Sequence, residues 1–204
     1  GRRIDRLSVK PTVLLGVGFG LFVLIIAALL VPTFIHTETP AYRPRIVGIA
    51  IPLNPGITFD TVTVDAGAEH RWRFFDFDRG LISAPPDTAG WDLALERFHI
   101  IPSSAMANLG AVSFDLVRQA PDTGYASTTF GRDTVNAATA RWYTYSYFSH
   151  LLSPKEEVWV LRTLEGRFVK LQVVSYYCPG PTPGCVTFRY GWLGSSPTVP
   201  TSRR

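Results

Sequence analysis

The chain has 204 residues, 46% of them hydrophobic, a net charge of +4 and two cysteines. Residues 1–10 contribute +3, from Arg2, Arg3, Arg6 and Lys10 against Asp5, and Arg203 and Arg204 add +2, so the stretch between sums to about −1. That balance excludes a nucleic-acid surface on the folded part, and the length beyond the first apolar run, about 165 residues, suits one domain.

In chain order, a basic leader (1–12) comes first. It is followed by an uncharged run, VLLGVGFGLFVLIIAALLVPTFI, over residues 13–35. At about 1.5 Å per residue this run reaches about 35 Å, enough for a hydrocarbon core of about 30 Å. The cationic leader against the sparser Arg43 and Arg45 predicts a cytoplasmic N-terminus, with residues 37–204 across the membrane. A cleaved signal peptide is the competing reading. The run is long for one, and Leu30–Ile35 lacks a small-x-small cleavage site. Gly16, Gly20 and Ala27 fall within about 40° of one another around a helix, a face that lets a second helix approach closely. The run holds no His and no acid, so it neither ligates a chlorophyll through imidazole nor relays protons.

Residues 36–45 read as a Pro-containing linker and 46–193 as a β domain beyond the membrane. Period-two alternation marks strands at Phe59–Val64, Trp142–Phe148 and Phe168–Val173. Further strands are expected at Ile46–Ile51, Trp72–Phe77, Trp91–Ile101, Ala111–Leu116, Val158–Thr163 and Cys185–Tyr190. Gly166 supplies the positive φ for a hairpin loop between two of them. Ser153–Glu156 is expected to hold one short turn, and residues 194–204 to be irregular. Cys178 and Cys185 flank a Pro/Gly-rich loop. In an oxidising compartment they are expected to form a disulfide, and no second Cys pair or neighbouring His completes a metal site.

Catalytic signatures are lacking: there is no G-x-S-x-G, H-E-x-x-H or Gly-rich phosphate loop, so no enzyme is expected. Asp76 and Asp78 could pair on one strand face, but Arg71, Arg73 and Arg79 are close enough to neutralise them as solvated ion pairs. Alternation puts Tyr143, Tyr145 and Tyr147 on one strand face, which is either core or a wet interface, since Tyr combines contact area with a polar tip.

Three segments carry a resemblance. They are Trp91-Asp92-Leu93-Ala94-Leu95-Glu96-Arg97-Phe98; Trp142-Tyr143-x-Tyr145 with Leu152-x-Pro154; and Val158-Trp159-Val160-Leu161-Arg162-Thr163-x-x-Gly166-x-Phe168-x-Lys170-Leu171, ending at Tyr176-Tyr177 and Phe188-Arg189-Tyr190. Together they resemble the HmuY-like family of bacterial haem-binding surface proteins. The resemblance implies an all-β, antiparallel HmuY-like domain behind one N-terminal transmembrane helix, in place of the N-terminal lipidated Cys common in that family. It also implies haem ligation by His or Met on loops. The candidates are His70, His99, His150 and Met106; no C-x-x-C-H attachment motif is present, and no spacing brings two of them to one element face.

The single-pass plan also resembles an accessory subunit of some bacterial photosynthetic reaction-centre–antenna complexes. That resemblance implies a non-catalytic subunit without a cofactor of its own. It would sit in the bacterial inner membrane with a periplasmic β domain, and its partners would be neighbouring subunits, their transmembrane helices and the lipid bilayer. Haem capture is the alternative reading.

Overall fold

The structure, a computed structural model, describes residues 10–34, 39, 41, 60–82, 90–131, 134–180 and 182–194. Most of the expected linker, the strand expected at Ile46–Ile51, His36 and the tail after residue 194 lie outside the described residues. The chain divides into two units. One is Gly1–Thr37 with Ser146–Leu151; the other is Glu38–Tyr145 with Leu152–Arg204.

In the first unit, α1 (Pro11–Phe34) is a helix of 24 residues that starts two residues before the expected span and stops one short of it. Pro11 opens it, where a missing N–H costs nothing. It has no polar stripe, and its large side chains from Val13 to Val31 are exposed. A helix apolar on every side is either buried in a core or immersed in lipid. This one is exposed, and its 24 residues give about 36 Å, long enough to cross a membrane. Residues 146–151 form a tight turn in which Ser146 N–H donates to Leu151 O and His150 N–H donates to Ser146 O, both at 2.9 Å.

The second unit is all-β. Its strands are β1 (Asp60–Asp65), β2 (Arg73–Asp76), β3 (Gly80–Ile82), β4 (Leu93–Glu96), β5 (His99–Pro102), β6 (Ala105–Asn108), β7 (Tyr125–Thr129), β8 (Val135–Asn136), β9 (Tyr143–Tyr145), β10 (Leu152–Pro154), β11 (Trp159–Arg162), β12 (Phe168–Tyr177) and β13 (Pro183–Leu193). A seven-stranded sheet runs β1-β13-β12-β11-β6-β7-β8, a four-stranded sheet runs β3-β2-β4-β5, and β9 and β10 form a hairpin. All strand pairs are antiparallel.

Register explains the core. Opposite residues share a face, and Val62↔Phe188, Leu171↔Tyr190, Trp159↔Leu171 and Leu161↔Met106 are opposite pairs. These side chains therefore line one face of the large sheet. Phe75 and Phe77, which sit on and just after β2, meet that face: Phe75 edges onto Phe188 at 5.3 Å and Phe77 onto Tyr190 at 5.0 Å. The opposite face carries Thr63, Thr187, Lys170, Gln172 and Arg189, which is why polar residues interrupt these buried strands.

Asp92 ties the layers together. Its carboxylate accepts Phe77 N–H at 3.0 Å and Leu164 N–H at 2.9 Å, joining the four-stranded sheet to the β11–β12 turn. That turn has Gly166 at φ +83°. The Trp-Asp and Arg-Thr-x-x-Gly segments of the sequence are thus two ends of one contact.

Several expected elements differ. Trp91–Ile101 is a hairpin, because Arg97 takes φ +51° and reverses the chain between β4 and β5. Ala111–Leu116 holds no strand. Phe114–Leu116 is a 3-10 turn that lays the buried Phe114 ring against the polar face of the sheet. The turn expected at Ser153–Glu156 gives way to β10, whose Ser153 pairs with Thr144. Trp142–Phe148 is strand only over Tyr143–Tyr145, because the chain turns from Ser146 onward.

Candidate functional site

The residues singled out by the sequence fall into separate places. Met106 is fully buried on the core face of β6, opposite Leu161 and Ala126. Its thioether therefore opens to no external ligand, which removes it from the haem-ligand candidates. His150, at φ +56°, is exposed in the turn of the first unit. Tyr147 is also in that turn, 82% exposed, and so is off the strand expected to align it with Tyr143 and Tyr145. Tyr145 is 43% exposed and Tyr143 half-buried.

His70 and His99 come nearest to a shared location. His70 lies in the β1–β2 loop at φ +55°, a left-handed conformation that histidine tolerates better than most residues. That loop is fastened to the β4–β5 turn twice: Arg97 N–H donates to Ala66 O at 2.7 Å, and the Arg97 guanidinium pairs with Glu69. His99 follows on β5, with its ring against Phe98 at 4.5 Å. Phe98 meets Tyr143 at 5.9 Å, and its carbonyl accepts the Trp142 indole N–H at 2.7 Å. Trp142 in turn edges onto Tyr176, whose hydroxyl is pushed above its ordinary pKa by burial, with Arg97 opposing the shift. The result is an aromatic end of the domain that carries His99 at the start of β5, beside the turn to which the His70 loop is fastened. The hollow beside His99 holds about 60 Å³. That is room for a few waters, at about 10–15 Å³ each by this measure, and not for a macrocycle.

Cys178 and Cys185 form a disulfide with Cα atoms 4.9 Å apart. Asp65 lies beside the sulfurs, but bonded sulfurs leave no thiolate for a metal. Asp76 is fully buried and held by Arg79 through Nε at 3.0 Å and Nη2 at 2.7 Å, while Asp78 pairs with Arg167. Of the arginines expected to neutralise the two carboxylates only Arg79 does so, on Asp76, which is buried and not solvated; Asp78 takes its partner, Arg167, from the distant β11–β12 turn.

A larger hollow lies elsewhere, a cleft of about 550 Å³ between the 111–114 segment, residues 154–156 and the middle of β12 and β13. Ligand pockets typically hold about 300–1,000 Å³. Its floor is Gln172, Val173 and Val174 with Arg189; neither His nor Met lines it. Sequence reading missed it because four distant segments build it. The one local signal is Lys170, Gln172 and Arg189 recurring at alternate positions in otherwise apolar strands.

No protein-family model matches the chain, and no curated protein does. Solved structures do. An apo HmuY analogue from Tannerella forsythia aligns at TM-score 0.57 and 15% identity, over 67% of this chain and 96% of that one. A candidate lipoprotein from Bacteroides fragilis gives 0.59 and 17%, over 74% and 97%. A candidate HmuY-like heme binding protein from Bacteroides vulgatus gives 0.55 and 19%, over 71% and 97%. At such identity the likeness is one of fold. The protein has an HmuY-like β domain and one N-terminal helix long and apolar enough to cross a membrane.

Proposed function

We propose that the protein is a membrane-anchored, non-catalytic binding module, spanning the inner membrane once with its β domain on the periplasmic side, and that it serves there as an accessory subunit bracing other chains of a membrane complex. The observation that carries this reading is α1, which is uncharged, apolar all round and exposed along its length. Lipid and neighbouring helices are the partners such a surface accepts. Among the described residues, acids with a nearby cation are held in ion pairs or, as Asp92, by backbone amides, which suits a scaffold better than acid–base chemistry. Purification in mild detergent should recover the chain with stoichiometric membrane partners; recovery as a lone monomer under conditions that preserve other complexes would refute it. A photosynthetic reaction-centre–antenna complex is one assembly this plan fits. It rests on the sequence resemblance alone and is tested by the identity of the co-purified chains.

Haem capture is the second reading, and the fold comparison favours it over the first, because the Bacteroides vulgatus neighbour is described as heme binding. His70 and His99 are the candidate ligands for it, because the β1–β2 loop that carries His70 is tied to the turn before His99; His150 is a separate candidate. Haem titration followed at the Soret band decides it. A saturable one-to-one complex whose spectrum changes in His70→Ala or His99→Ala establishes this reading, and an unsaturable, mutation-insensitive response removes it.

A further inference from the structure

The cleft over β12 and β13 has the chemistry of an anion site. Arg189 donates through Nε to Gln172 Oε1 at 2.8 Å, and its guanidinium lies 4.4 Å over the Phe114 ring. This holds the head group in place and leaves its two Nη groups directed away from that bond. Because the carbonyl of Gln172 is occupied by Arg189, its amide NH₂ is the end left to meet a ligand, and Gln172 is 8% exposed. No carboxylate forms an ion pair with Arg189 among the described residues. Lys170, also against Phe114 at 4.4 Å, spends its ammonium on Phe114 O and Val117 O. Its pKa is lowered by burial first, with Arg118 and Arg189 adding to the lowering against Asp115. The locality therefore has more fixed positive charge than it neutralises.

The floor is shaped by a β-bulge. Register passes from Val173↔Phe188 to Ser175↔Thr187, so Val174 is an extra residue without a partner on β13, and it lines the cleft. Bulges re-aim side chains beside sites. Val112 and Ala111 make an apolar wall. On the rim, Lys155 pairs with Glu157 at 3.6 Å, and Glu156 supplies one negative charge.

We infer that this cleft binds a monocarboxylate with an apolar body, the carboxylate lying on Arg189 and Gln172 and the body against Val112 and Val174. A guanidinium with two parallel N–H groups to offer matches a carboxylate in bidentate fashion. Of the cations lining the cleft only Arg189 lacks a carboxylate partner among the described residues, and with a rim glutamate this disfavours a phosphate dianion. The carboxylate can belong to a free organic acid or to an acidic side chain of a neighbouring protein. This site goes beyond the proposed function and does not depend on it.

The test uses the full chain in lipid nanodiscs, titrated with para-fluorobenzoate and followed by fluorine NMR, with neutral para-fluorobenzamide as the control. Saturable benzoate binding is expected, at least about tenfold tighter than the amide and at least about tenfold weaker in Arg189→Gln. Val112→Trp places bulk on an already exposed wall and should abolish binding with the fold intact, so it decides the matter if Arg189→Gln fails to fold. Glu156→Gln should bind as tightly or more tightly. Stronger displacement by acetyl-aspartate amide assigns the site to a partner's acidic side chain; stronger displacement by hexanoate assigns it to a free acid. Absence of saturation, equal binding of benzoate and benzamide, or unchanged binding in Val112→Trp overturns the inference.

Discussion

Asp92 combines full burial with a carboxylate, and burial pushes its pKa up to about 6 from 3.8, against the lowering by the Phe77 and Leu164 amides. The folded chain therefore holds this proton more tightly than the unfolded chain. Its stabilising contribution is complete below pH 3.8 and is lost as pH rises through about 6, an effect on the order of 2–3 kcal/mol. Urea melts at intervals from pH 4 to 7 should show this decline in the wild type and a flatter profile in Asp92→Asn, which carries no titrating group there; equal slopes would remove Asp92 as the cause. Gly184 makes a second test at this scale. It sits at φ +112°, and a Cβ there would lie 2.4 Å from Gly67 Cα, where Ala66 N–H bonds Gly184 O at 2.8 Å. Gly110, at φ +72°, has open space around it. Gly110→Ala should cost about 1–2 kcal/mol from the left-handed backbone alone. Gly184→Ala should cost clearly more, because backbone has to move. Equal losses in denaturant melts would show that the close approach is unimportant.

At the scale of elements, what the sequence shows depends on how local the signal is. The helix is legible from its long uncharged apolar run, β11 from a compact run of apolar residues, and β1 and the core halves of β12 and β13 from alternation over several residues. β6, β7 and β8 are short, and their burial is set by neighbours distant in the chain, so no periodicity marks them. Phe114 reads as a strand residue, yet its ring is needed over Lys170 and Arg189, and a 3-10 turn delivers it. The candidate site follows the same rule. His70 and His99 are visible as residue types, but the Arg97–Ala66 bond that brings their turns together is a tertiary fact. For α1, no atom beyond the helix's own local backbone lies within 4 Å of a Cβ built at Gly16, Gly18 or Gly20, so the chain's side chains impose no choice among them. Any difference must come from a partner. Gly20→Leu should lower recovery of co-purified chains, by roughly 1–3 kcal/mol of association. Gly18→Leu, about 160° away around the helix, should not. Equal losses, or none, would refute the Gly16, Gly20 and Ala27 face.

For the whole molecule, the question is which side of the membrane the β domain occupies, and the Cys178–Cys185 bridge reports on it. A disulfide across so short a loop adds about 2–3 kcal/mol, and such bonds persist in oxidising compartments and are scarce in reducing ones. On the proposed single-span reading, the positive-inside bias of a leader with four cations and one anion keeps that end in the cytoplasm. These two arguments are independent, one from redox chemistry and one from charge, and both support the proposed topology. In intact spheroplasts, thiol alkylation without reductant should label neither cysteine. A membrane-impermeant reductant applied from outside should expose both, and added protease should degrade the β domain while sparing the leader. Cysteines that alkylate without reductant, or that yield only to a permeant one, would put the domain on the cytoplasmic side. The aromatic end and the carboxylate cleft would then face the cytoplasm, and both haem capture from outside and bracing of periplasmic surfaces would fall together.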